Sequence, residues 1–406
     1  MKLLERTVLG CFCPLTGLIR RSKQMKKICY AITMAVAVAC LSITASADSK
    51  VSSVVESYEM NAENSYSVSY LEEDPYLVNV YEGYGFAKDY GSARGHAYVL
   101  EDVGKTERPH PLANCLTCKT EDFTRLVNDM GEDAYSLEFD STYPDMHQNV
   151  GCYSCHLENY NEGELNLSHD YTVTAISDEV GDGTIAAAVG VCGQCHTEYY
   201  FKPENKATNV PYMDLASMDP EAELAYYDEM GFADWTQEST GTPMLKAQHP
   251  EIETYLGEGS IHAKMGLTCA DCHMEKVTSE DGTEFRSHYL KSPLDSDVLL
   301  ETCAQCHKDT DMAEKVHGVQ DEITAREKEV GEKLSTLKTT LAEAVASGDY
   351  TDEELDAIRS LHRTAQWFWD WDYVENSEGA HNSTLAKKCL DKAEETIDEA
   401  MGMFKS

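Results

Sequence analysis

The chain of 406 residues carries 72 acidic side chains against 33 basic ones, a formal charge of −39; so acidic a surface repels phosphate backbones and anionic lipid and excludes nucleic acid as a partner. Its length allows one to three domains with a real core, yet only 42% of residues are hydrophobic, and Tyr outnumbers Phe 23 to 9. The aliphatic core is therefore expected to be thin unless something other than side chains fills it.

In chain order, residues 1–47 read as a leader and a secretory signal. Met25 is a second candidate start, followed by Lys26 and Lys27, an apolar run from Ile28 to Ile43, and Ala45-Ser46-Ala47, which predicts cleavage after Ala47. An uncleaved anchor is the alternative, but the apolar run is shorter than the ~20 residues that a span needs. Residues 48–315 are punctuated by Gly, Pro and Asn, the pattern of a chain that wraps cofactors. Residues 316–406 change character: Asp321–Ser347, Asp352–Tyr373 and Thr384–Phe404 are rich in Ala, Glu, Lys and Leu at helical spacing. Asp352 with Glu354, and Ser383 before Thr384, are the expected helix starts. The fold class is mainly α with little β, a body wrapped around cofactors plus a C-terminal region of long helices.

The 15 Cys identify the cofactor. Ten fall into five C-x-x-C units: Cys115/Cys118, Cys152/Cys155, Cys192/Cys195, Cys269/Cys272 and Cys303/Cys306. His156, His196, His273 and His307 follow four of them at once, and Lys119 follows the first. C-x-x-C-H is the pattern of c-type haem attachment, with two thioether thiols and an adjacent axial His. Zinc is the competing reading of any C-x-x-C pair, but five is an odd number of units for it, and a basic residue closes every unit. Thioether attachment takes place outside the cytoplasm in bacteria, which agrees with the signal: the protein is expected to be exported, in the periplasm or at the outer face of the cytoplasmic membrane. Four His-linked haems each need a second strong ligand, and ten further His are available. Lys119 marks the fifth iron as different, since an amine ligates metal only as the free base.

Four C-x-x-C-H units preceded by one C-x-x-C-K resemble the ammonia-forming cytochrome c nitrite reductases. The likeness runs from about Asp74 to Asn382 and includes Arg94-Gly95-His96, the segment from Val191 to Tyr200, Thr242 to Pro250, and Ala365-Gln366-Trp367. It implies five haems c, with the catalytic iron on Lys119 and its open face flanked by Arg108, Tyr199 and His249. It implies His96 as distal ligand to the haem of Cys192/Cys195, His262 to that of Cys303/Cys306, His288 to that of Cys152/Cys155, and His381 to that of Cys269/Cys272. A calcium site is implied at Glu198, Tyr199, Lys246 and Gln248, all-oxygen coordination that suits a hard cation; Lys246 would take part through its carbonyl, its ammonium facing the cavity. Arg94 is expected to pair with a haem propionate. His110, His147, His169, His317 and His362 are left as surface or supporting groups, and Cys389 as an inert buried thiol.

The activity implied is six-electron reduction of nitrite to ammonium, the four saturated irons serving as relay. Electrons would come from a multihaem donor, either a membrane quinol-oxidising cytochrome or a soluble carrier, and the family's helix-mediated homodimer is expected. The rival readings are a multihaem electron-transfer cytochrome, and an enzyme acting on sulfite or hydroxylamine. Two departures stand out: the stretch from Arg108 to Cys115 is short for the family, and the chain ends soon after His381.

Overall fold

The computed structural model describes residues 50–63, 66–160 and 163–405; the leader and signal lie outside them. The chain forms two units. The smaller takes in residues up to Val55 together with Val277–Phe285, and its best-defined feature is a turn in which Ser279 N donates to Thr283 O at 2.9 Å and Gly282 adopts φ 85°, a value that favours glycine. The larger, Glu56–Lys276 with Arg286–Ser406, carries all five C-x-x-C units.

Strand is confined, among the described residues, to three two-stranded sheets, including Tyr200–Phe201 paired antiparallel with Thr208–Asn209. The mainly helical class with little strand is borne out. Each cysteine unit sits in or just after a helical turn, because C-x-x-C needs two thiols on one face, three residues apart. Cys152–His156 and Cys269–His273 are short helices, the second opened by a Thr268–Asp271 capping box. Helices Ala187–Gly193 and Asp297–Ala304 deliver the next two units, and His196 N and His307 N each donate to the carbonyl of the first Cys at 3.0 Å. Gly193 is needed between Cys192 and Gln194: a Cβ there would collide with Ile252.

Three long helices follow: Met312–Ser347, Asp352–Tyr373 and Ser383–Gly402. The first begins nine residues before its expected start, where Asp311 accepts from Glu314 N, so the boundary expected at 315/316 falls within its first turn. The second helix runs as expected from Asp352 to Tyr373, and the third begins at Ser383, one residue before Thr384. Thr351 caps the second helix in a box with Glu354, and the Asn382 side chain caps the third, each satisfying an otherwise unpaired N–H.

The apolar core is not thin everywhere. Leu334, Leu337, Leu341, Ile358, Trp367, Trp369, Leu390 and Ile397 form one buried cluster with Leu77, Val80, Tyr227 and Leu245 of the body. The helix Asp352–Tyr373 is buried all round its C-terminal half, as its Trp367, Trp369 and Trp371 show, and their indole N–H groups reach Pro220 O, Glu327 O and Thr254 Oγ1, which removes the cost of burying them. Cys389 is buried in this cluster. Two smaller clusters lie under the cysteine units, one around Leu116, Phe123 and Phe139, the other around Tyr171, Ile176 and Ile252. No described helix is long and apolar enough to cross a membrane. Leu334 is fully enclosed, so Leu334→Ala is expected to lower stability by about 2–5 kcal/mol, read as an earlier denaturant midpoint in far-UV circular dichroism; an unchanged midpoint would contradict this packing.

Candidate functional site

Four histidine pairs stand across gaps of nearly equal width. Ring centroids are 6.1 Å apart for His96 and His196, for His262 and His307, and for His273 and His381, and 6.3 Å for His156 and His288. In each pair one member follows a C-x-x-C unit and the other is the distal residue expected for it. A metal bonded at ~2 Å to one nitrogen of each ring separates the centroids by ~6 Å. Hydrogen bonds select the tautomer that such a metal requires. Nδ1 of His156, His273 and His288 lies 2.5, 2.9 and 3.1 Å from the carbonyls of Glu164, Lys291 and Arg286. A carbonyl only accepts, so Nδ1 carries the proton and Nε2 is left as a lone pair. His381 Nδ1 faces the buried Glu375 carboxylate at 2.6 Å; burial lowers its pKa, but Glu375 outweighs that and raises it to about 9. His96 is held near 4, first by burial and then by His196 and Lys119.

The thiols run in a spatial series. Cys118 Sγ lies within 4.8 Å of Cys195 Sγ, and Cys269 and Cys155 both act on the Cys192 thiol, as Cys303 does on Cys272. The units therefore follow the order 303/306, 269/272, 192/195, 115/118, with 152/155 beside the third.

The first unit ends in a small, partly open cleft lined by Asn114, Cys115, Thr117, Cys118, Lys119, Cys195, Tyr199, Thr208 and His249. The turn Ala113–Leu116 seats Ala113 and Leu116 in the apolar cluster beneath, and Thr120 caps the helix Glu121–Met130, so Lys119 is fixed between two anchored elements. Arg108 lies over the Phe86 ring at 4.4 Å and donates to the Asp89 carbonyl at 3.1 Å. It forms no ion pair with a carboxylate among the described residues, and its charge is felt at Tyr199 and Cys115. The Tyr199 phenol is pushed up by burial and then by Cys118, Cys115 and Glu198, with Arg108 pulling the other way, so it is a neutral donor at physiological pH. His249 Nδ1 is 3.8 Å from Glu251 Oε1, which also lies 3.7 Å from His196 Nδ1. Of the expected trio, Tyr199 and His249 line the cleft with Lys119, whereas Arg108 stands outside that lining, near enough for its charge to act on Tyr199 and Cys115; Glu251, which the sequence did not single out, lies between His249 and His196.

Beside the cleft, Glu198 accepts from Tyr227 Oη at 2.9 Å and Gln248 N at 2.6 Å, and Gln248 Nε2 lies 2.9 Å from the Lys246 carbonyl. Burial drives the Glu198 carboxyl well above the usual range, and Asp234 and Glu253 add to it; burial raises Asp234 to about 7. A buried carboxyl so disfavoured as an anion, beside an amide and a carbonyl, suits a hard cation.

Two expectations need correcting. The Lys246 ammonium does not face the cleft: it is buried against Asp370 Oδ1 at 3.1 Å and the Ala247 carbonyl at 2.9 Å, because a desolvated cation needs a counter-charge. Arg94 is committed to Asp102 and Glu101 and lies over Tyr98, so it is not free for a propionate. His169 and His362 are buried, so of the two places left open for them they take the supporting one; burial and then Lys338 lower the His362 pKa to about 3.

A family model for cytochrome c552 matches residues 46–405. The chain belongs to the cytochrome c552 family. Among solved structures, this cytochrome resembles the cytochrome c nitrite reductase of Desulfovibrio desulfuricans ATCC 27774, whose catalytic subunit NrfA is described with two calcium sites: TM-score 0.75, 25% identity, 86% of this chain and 83% of that one covered. Lesser likenesses are the outer cell wall cytochrome OcwA (19% identity, TM-score 0.40, 75% of this chain and 48% of that) and an undecahaem S-layer cytochrome of Carboxydothermus ferrireducens (18%, 0.38, 76% and 41%). The resemblance carried by the cysteine units is borne out in family and fold.

The Lys246–Asp370 pair also holds the loop that carries Gln248 and His249, since Asp370 Oδ2 accepts from Ala247 N at 3.0 Å. Asp370→Ala leaves a buried, uncompensated ammonium and is expected to cost about 3–5 kcal/mol, while Asp370→Leu combined with Lys246→Met recovers most of it. Denaturant unfolding of the three proteins reads the difference, and equal stabilities would contradict a buried ion pair.

Proposed function

We propose that this cytochrome is an exported nitrite reductase that carries five haems c and converts nitrite to ammonium at a haem held by Cys115, Cys118 and Lys119. The nitrite-reducing class is the one that the family and the 25%-identical structure carry. The observation that supports the finer reading is the asymmetry of the five sites: four cysteine units have an imidazole waiting across the gap, whereas Lys119 faces a cleft shared with Tyr199 and His249. The other thioether positions are Cys152, Cys155, Cys192, Cys195, Cys269, Cys272, Cys303 and Cys306, with axial pairs His156/His288, His196/His96, His273/His381 and His307/His262. Calcium is assigned to Glu198, the Tyr199 and Lys246 carbonyls, and Gln248.

A haem held by Cys115, Cys118 and Lys119 would supply the redox chemistry at nitrite, and haems on the other four cysteine units would supply relay and storage of electrons. The chain supplies the rest. Each nitrite needs six electrons and eight protons to become ammonium and two waters. Arg108, with a carbonyl and a ring face as its contacts, keeps its positive charge for an anion and stabilises negative charge on oxygen as the N–O bonds break. Tyr199 donates a hydrogen bond as a neutral phenol. His249 is half-exposed beside Glu251 and hands on protons drawn from solvent. The spatial order of the thiols gives the electrons a path from the 303/306 unit through 269/272 and 192/195 to Lys119.

Given a low-potential reductant and nitrite, the purified protein is expected to yield ammonium stoichiometrically; release of NO or no turnover would contradict the reading. With five haems retained, Lys119→Ala abolishes the activity and Arg108→Ala lowers it about 100-fold, and full activity in Arg108→Ala would remove that residue from the mechanism. Chelation of calcium is expected to depress turnover, with recovery on adding calcium but not magnesium, whose octahedral demand the Glu198 site does not meet.

A further inference from the structure

The segment Ser168–Tyr171, far from any cysteine unit in sequence, ties three of them together. Ser168 Oγ donates to the Ser154 carbonyl inside the Cys152/Cys155 unit at 2.7 Å. Ser168 N donates to Gln194 Oε1 inside the Cys192/Cys195 unit at 2.8 Å, and Tyr171 Oη donates to the Gln194 carbonyl at 2.6 Å. His169 makes the third connection. Its Nε2 lies 3.1 Å from the carbonyl of Thr117, two residues before Lys119, and 3.5 Å from Cys195 Sγ. The Thr117 carbonyl only accepts, so Nε2 carries the proton. The imidazole is 5% exposed, and its ligating nitrogen shares a 4.8 Å sphere with the sulfurs of Cys118 and Cys195. With both cysteines as free thiols the three groups would suit a soft metal; once both sulfurs are thioethers no thiolate remains, and the polar hydrogens that face them are the His169 N–H at Cys195 and the Tyr171 hydroxyl at Cys118.

We propose that His169 is a positioning residue for electron delivery: it holds the Lys119 loop against the Cys192/Cys195 unit and, by donating to the thioether sulfur of Cys195, raises the reduction potential of the haem attached there. A donor on an attachment sulfur withdraws electron density and favours the reduced form, and a buried dipole acts with little screening. The segment fixes the spacing of the two haems between which the last electron transfer occurs, and does so without touching substrate. The inference rests on the five-haem reading above.

The test is spectroelectrochemistry of the holoprotein with steady-state kinetics. His169→Phe, with five haems attached, is expected to lower the midpoint of the Cys192/Cys195 haem, to leave the haems of Cys269/Cys272 and Cys303/Cys306 in place, and to reduce kcat about ten-fold with KM for nitrite unchanged. His169→Gln, whose amide N–H can reach the same carbonyl and sulfur, is expected to restore both. Midpoints in His169→Phe equal to those of the parent would overturn the proposal, as would a uniform shift of all five. Should His169→Phe fail to acquire five haems, Ser168→Ala decides, because the Ser168 hydroxyl also lies 3.0 Å from His169 Nδ1: a lowered midpoint of the Cys192/Cys195 haem supports the proposal, and an unchanged one overturns it. A parent protein without five haems would instead fail the reading of function.

Discussion

Everything in the larger unit is arranged around pairs of imidazoles held ~6 Å apart with their lone pairs facing. Such a gap is unfavourable in a bare protein, because two neutral rings at that distance enclose space that neither fills and nitrogens that neither satisfies. The chain maintains four of them, and in two, His156/His288 and His273/His381, carbonyls at Glu164, Lys291 and Arg286 and the Glu375 carboxylate orient the rings. The short helices, the absence of extended sheet and the small apolar clusters beneath the cysteine units all follow from a body whose interior is shared with flat macrocycles.

The C-terminal helices compensate for that divided interior. Their Trp and Leu side chains form the large apolar cluster, and from it Asp370 reaches the Lys246 ammonium and the Ala247 amide, while Gln366 and Arg363 donate to the Leu245 and Pro243 carbonyls. The segment that ends in Gln248 and His249 is thus clamped along its length by one buried helix. The same helix therefore contributes both to stability and to the placement of the cleft.

Much of this was legible in the sequence, and the reason is chemical. Thioether attachment demands two thiols at a fixed local spacing with a ligand next to the second, so Cys115 to His307 announce themselves without any knowledge of the fold. The helices from Asp352 and Ser383 were legible from composition and from the polar residues that open them, just after the caps Thr351 and Asn382. What local pattern does not carry is a contact between distant segments. Asp370 meets Lys246 across 124 residues, and His169 meets Thr117 across 52. Glu251 bridges His196 and His249 only once the chain has turned back on itself. The distal histidines were assigned through family likeness, not through their own surroundings.

The strong acidity of the chain sharpens what the cleft must do. An anion approaching a protein of charge −39 meets repulsion except where positive charge is left unneutralised. Lys246 is neutralised by Asp370 and Arg94 by Asp102 and Glu101, whereas Arg108, over Phe86, forms no carboxylate ion pair among the described residues and acts on Tyr199 at the cleft. The central claim is that one iron of five is chemically distinct and open beside that cation. Electron paramagnetic resonance of the oxidised protein tests it most directly: the account predicts four low-spin signals and one high-spin signal, the latter alone responding when nitrite is added. Five low-spin signals indifferent to nitrite would contradict it and mark the protein as an electron carrier.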